Sequence, residues 1–143
     1  EHGHQSPWNI YNKLWLSEQQ DKGVVPSNFI TEFENRQRAA AMKKLGISFT
    51  YAKPVNLLKY LLTIANPPKD IIVLDCFAGS GTTGHAVLQL NQDDGGSRQF
   101  IICTNNEGDS CETVTYPRIK TVLTGQRADG SIYSDVLPAN VKY

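Results

Sequence analysis

The chain has 143 residues, 40% of them hydrophobic, and its fourteen basic and fourteen acidic side chains cancel. That length carries one domain with a core and excludes two comfortable ones. The balanced charge excludes the strongly basic face with which a free-standing nucleic-acid binder displaces phosphate counterions.

Residues 1–30 mix Gly, Pro, Ser and scattered aromatics (Trp8, Tyr11, Trp15) without a sustained period, and read as an irregular or linker segment. His2 and His4 stand together without further ligands in sequence, so no metal site is expected. Thr31, Glu34 three residues on and Gly46 frame a helix over residues 32–45, whose few apolar positions (Phe33, Ala40, Ala41, Leu45) predict a surface helix. Residues 48–52 have a short β-like character. Pro54 then opens a second helix with Leu57, Leu58, Leu61, Leu62 and Ala65 on one stripe, expected in the core and stopped by Asn66-Pro67-Pro68.

Ile71-Ile72-Val73-Leu74 is continuous, β-branched and bounded by turn residues, the pattern of a strand buried on both faces of a parallel sheet. A glycine-rich turn follows, then a helix over residues 82–90, a polar turn over 92–96 and a second strand, Phe100-Ile101-Ile102-Cys103. Together these make one βαβ unit. An amphipathic helix over residues 115–123 and an irregular end from Gly130 to Tyr143 complete the chain.

The chemistry concentrates in Asp75-Cys76-Phe77-Ala78-Gly79-Ser80-Gly81-Thr82-Thr83-Gly84, between a buried strand and a helix. In open α/β sheets ligands sit outside the carboxyl ends of strands, where glycine lets the backbone approach and a helix start offers free N–H groups. No Lys follows the glycines, and the dinucleotide-binding GxGxxG spacing is not met, so phosphate is not the expected ligand. Asp75 at the strand end favours a cationic or hydroxyl-bearing group such as an amino-acid amine. Cys76 reads as a small buried filler and His85 as structural. The cysteines Cys76, Cys103 and Cys111 form no CxxC pair, which fits a reduced, cytoplasmic protein without a zinc clip. No basic start with an apolar core exists at the amino end, and no apolar run approaches the ~18 residues of a membrane span.

The string from Asp75 to Thr83 resembles the cofactor loop of DNA amino-methyltransferases, and Lys53-Pro54-Val55-Asn56-Leu57-Leu58 resembles the motif that precedes it in their β-class. Cys103-Thr-Asn-Asn-Glu107 and Val114-Thr-Tyr-Pro-Arg-Ile-Lys120 are similar to the modification (Mod) subunits of type III restriction systems, so the likeness covers roughly residues 45–125. It implies an α/β, Rossmann-like S-adenosylmethionine-dependent methyltransferase fold with a partial sheet, residues 31–143 being its cofactor-binding part. It also implies that Phe77, Ala78, Gly79, Ser80, Gly81 and Thr82 wrap S-adenosyl-L-methionine above Asp75, with Lys53, Pro54 and Asn56 closing the other side. The ribose-binding acid belongs near Thr104, and the first carboxylate there is Glu107.

The family's Asp/Asn-Pro-Pro-aromatic tetrapeptide, which holds the flipped base's amino group, occurs nowhere in these residues. Asn66-Pro67-Pro68-Lys69 lacks the aromatic, follows a helix, and reads as a helix stop. No catalytic residue is therefore assigned. The implied whole is a site-specific adenine-N6 DNA methyltransferase of a restriction-modification system, with this chain as its cofactor-binding portion, inactive alone. DNA would be bound through an upstream part, with a restriction subunit as candidate partner, homo-oligomerisation in the full protein and no membrane association. An open sheet edge and an exposed apolar face, around the 57–62 stripe or residues 71–73, are expected. The competing readings are a cytosine-N4 DNA methyltransferase, a nucleotide (NAD)-binding enzyme and a non-catalytic α/β module.

Overall fold

The computed structural model describes residues 29–33 and 35–143; Trp8, Tyr11, Trp15, His2 and His4 lie outside them. In chain order, α1 (Asn35–Lys44) and α2 (Val55–Ile64) precede β1 (Ile72–Asp75), α3 (Thr82–Asp94) and β2 (Gln99–Ile102). A 3₁₀ turn (Glu107–Asp109), a π-helical turn (Cys111–Thr115) and α4 (Tyr116–Thr124) follow.

The two strands are parallel, with Ile72 opposite Gln99 and Asp75 opposite Ile102. Parallel neighbours need a crossover, and α3 supplies it. The helix runs beyond its expected end at residue 90, into the expected polar turn as far as Asp94, and stops where Gly95 adopts a left-handed conformation (φ 67°). Arg98, Asp94 and Asn91 then tie its end to the start of β2: the guanidinium donates to both Asp94 oxygens at 2.9 Å, and Asn91 Nδ2 donates to Arg98 O at 2.8 Å.

Burial alternates along β1 and β2, contrary to the expectation of a strand covered on both faces. Val73 and Phe100 face inward, whereas Ile72, Leu74 and Ile101 remain exposed, at 59%, 61% and 52%. The physical reason is that, among the described residues, helices pack against one face only. The exposed apolar surface foreseen from the sequence therefore lies on the open sheet face. The leucine stripe of α2 is only half-buried rather than core, because α2 leans on α3 and its far side, including Leu61 and Ile64, meets solvent.

The core lies behind the sheet. Met42 of α1, Leu45 just after it, Ala52, Leu88, Val114 and Val122 pack with Tyr133 and Leu137 of the carboxyl-terminal segment. Burying one such side chain contributes about 1.5–3 kcal/mol. One expectation changes here: α1 starts at Asn35 rather than at residue 32, while Ala39, Ala40, Lys43 and Lys44 are exposed, as a surface helix requires. Its one inward side is Met42, which with Leu45 just past the helix end forms an apolar i, i+3 pair. Residues 48–52 form no strand, and Cys76 is exposed instead of buried. The segment after α4 is irregular as expected yet firmly held, with Tyr133 N–H donating to Gly125 O (2.7 Å) and Leu137 N–H to Val122 O (2.8 Å).

Candidate functional site

The glycine turn begins where β1 ends. Cys103 N–H donates to Asp75 O and Ala78 N–H to Cys103 O, both at 2.8 Å, so the ladder continues beyond the strands and ties the turn to the exit of β2. Gly81 N–H closes the turn on Ala78 O at 2.7 Å. Gly79 and Gly81 both adopt positive φ (49° and 73°), which side-chain-bearing residues rarely accept. At Gly81 a Cβ would also sit 3.2 Å from Thr115 Cγ2.

Asp75 shapes this turn directly. One carboxylate oxygen accepts Phe77 N–H (3.0 Å), and the other accepts the Thr83 hydroxyl at 2.6 Å. Phe77 projects outward at 92% exposure, and Gly79 is exposed beside it. Ala78, the Ser80 side chain, Gly81 and Thr82 turn inward. Their contribution to a ligand is therefore confined to backbone, and the N–H groups of Gly79 and Ser80 have no acceptor among the described residues.

Lys53 and Pro54 are brought to this turn: Thr82 Oγ1 donates to Lys53 O at 3.3 Å, and Pro54 is buried at the head of α2. The Lys53 side chain and Asn56 remain exposed. Glu107 is an exposed residue of the 3₁₀ turn after β2, and Asn105 Nδ2 donates to its carboxylate at 3.4 Å. A cavity of about 700 Å³ lies elsewhere, between β2, α4 and residues 139–143, and no residue from 75 to 82 lines it. With Phe77 and Gly79 exposed, the outer side of the glycine turn is an open shelf. Among the described residues no group of His, Cys, Asp and Glu could hold a metal.

Sequence reading missed the layer beneath the shelf. Arg118, 1% exposed, donates through Nη1 to Thr82 Oγ1 (2.8 Å), Ser80 Oγ (2.9 Å) and Ser80 O (3.3 Å), and through Nε to His85 Nδ1 (3.4 Å). Thr115 Oγ1 donates to Gly79 O at 2.6 Å. Burial lowers the Arg118 guanidinium to about 10, and burial together with that guanidinium lowers the His85 imidazole to about 3. Because arginine only donates, His85 Nδ1 accepts and its proton resides on Nε2. One signal was available: Arg118, Thr121 and Val122 share one face at i, i+3, i+4, so the arginine stood on the buried stripe of α4.

A DNA methylase family model matches residues 4–115. The chain belongs to the DNA methylase family. It is 52% identical over 66 residues to the type III restriction-modification enzyme StyLTI Mod subunit of Salmonella typhimurium, covering 46% of the chain and 10% of that relative. It is 49% identical over 59 residues to the EcoPI Mod subunit of Escherichia phage P1, covering 41% and 9%. A third match is the type II methyltransferase M.KpnI of Klebsiella pneumoniae, 49% identical over 51 residues, covering 34% and 12%. In these matches the chain spans about a tenth of the curated relatives' length. Among the described residues no helix is long and apolar enough to cross a membrane.

Proposed function

We propose that this chain is the S-adenosylmethionine-binding part of an adenine-N6 DNA methyltransferase of a restriction-modification system, with residues 31–143 forming part of a Rossmann-like methyltransferase fold. The observation that carries the reading is the positive-φ glycine shelf at the carboxyl ends of two parallel strands, with the Lys53-Pro54 helix start bonded to it. Family membership and likeness to Mod subunits support it.

The donor set suits an amino-acid-bearing nucleoside better than a phosphate, since no lysine follows the glycines and a carboxylate underlies the turn. When bound, the cofactor supplies the methyl group on its sulfonium. The chain's own residues would orient it: N–H groups of Gly79 and Ser80 at the amino-acid end, Phe77 across an open face, Asp75 keeping the turn in shape, and Lys53, Pro54 and Asn56 on the opposite side. Glu107 is the candidate for the ribose hydroxyls. Positioning of this kind is the protein's main contribution to methyl transfer. DNA contact, homo-oligomerisation and pairing with a restriction subunit in the cytoplasm belong to the proposed whole enzyme.

Calorimetric titration of the chain with S-adenosylmethionine and with NAD tests the assignment. Saturable binding of the first alone is expected, and Asp75→Ala should weaken it at least about tenfold, roughly 1.4 kcal/mol. Preference for NAD would overturn the reading, and unchanged affinity in a folded Asp75→Ala variant would remove that residue from the site.

A further inference from the structure

Arg118 presents a cost that the fold does not explain. Its guanidinium is buried, and among the described residues no carboxylate lies within ion-pairing distance of it. Every group it touches is neutral: two hydroxyls, one carbonyl and the unprotonated His85 ring. A buried charge without a counter-ion is strongly unfavourable, and an uncharged donor could brace two hydroxyls at lower cost. The positive charge lies beneath Ser80, whose carbonyl and hydroxyl it holds, so the turn carries a positive potential from below in addition to the unpaired N–H groups of Gly79 and Ser80.

We infer that Arg118 is a positioning residue that selects ligands with an anionic group at the Ser80 end of the glycine shelf, the carboxylate of an amino-acid moiety being the group it favours. This rests on the proposed cofactor reading and adds to it a determinant that lies outside the glycine motif, on α4. The guanidinium acts in two ways. It fixes Ser80 and Thr82 through Nη1, and its uncompensated charge becomes partly balanced when the ligand's carboxylate arrives.

The test compares two uncharged-sulfur ligands, S-adenosylhomocysteine, which carries the amino-acid half, and methylthioadenosine, which lacks it. In the unaltered chain the first should bind more tightly. In Arg118→Gln, affinity for S-adenosylhomocysteine should fall by about tenfold or more while that for methylthioadenosine changes less than about threefold. Arg118→Lys, which retains charge but not the fork, should recover much of the preference. Equal losses for both ligands, or no loss for either, would overturn the inference. A measurement on the unaltered chain does not depend on the variants folding: the ¹⁵N–¹H signal of Arg118 Nε should move on saturation with S-adenosylhomocysteine and stay still with methylthioadenosine. Identical responses to both would also overturn it. If the unaltered chain bound neither nucleoside, the proposed cofactor reading itself would fall, a result distinct from binding without discrimination.

Discussion

His85 is where a single residue's chemistry reaches the stability of the whole. In the folded chain its imidazole is lowered to about 3, first by burial and then by the Arg118 charge, whereas in the unfolded chain it titrates near 6.5. Between those values the unfolded state holds the extra proton, so the stabilisation is complete above about pH 6.5 and declines as pH falls toward 3. Each unit within the window costs about 1.4 kcal/mol, or roughly 2 kcal/mol at about pH 5. His85→Asn keeps an acceptor for Arg118 Nε and removes the titration. Melting temperatures measured from pH 7 down to pH 5 should therefore fall less steeply in the variant. An unaltered slope would assign the acid sensitivity to other groups.

At the scale of elements, Gly84 sets how closely α3 approaches its neighbours. A Cβ there would lie 3.0 Å from both Ile119 Cδ1 on α4 and Phe100 Cε2 on β2. The missing side chain lets one helix touch a second helix and the sheet at the same level. Gly84→Val should cost about 1–3 kcal/mol through overpacking, outweighing any gain in helix propensity. Urea unfolding would measure it, and equal stability would mean that the crossing widens freely. The elements themselves were largely legible in the sequence, because Ile71 to Leu74, the glycine turn and the run from Phe100 carry strong local signals. What local signals could not give was coverage. Leu74 and Ile101 read as interior by composition, yet whether a second layer covers them depends on distant packing. The π-helical turn at Cys111–Thr115 was illegible for the same reason: Thr115 is spent on Gly79 O, a partner 36 residues away. The turn's glycines and Asp75 could be read as a candidate site, whereas the Arg118 support required the fold.

For the molecule as a whole, the sequence holds no tetrapeptide to position a target amine, so on the proposed reading the shelf would supply only half of the encounter. The isolated chain, saturated with tritiated cofactor, should transfer no label to DNA, since positioning of the second reactant is worth effective molarities on the order of 10⁵ M. An extended protein carrying that motif should yield labelled N6-methyladenine; label on cytosine N4 would keep the family and change the base. Arg118 adds a constraint of timing. Ser80 and Thr82 lie 38 and 36 residues before the arginine that braces them. During synthesis the glycine turn leaves the ribosome well ahead of its anchors, and until α4 has emerged it is a flexible loop whose order depends on a contact not yet made. A nascent chain paused in that interval has every residue of the glycine turn and not yet its braced shape, so on the proposed reading a cofactor could assist folding only in its final step.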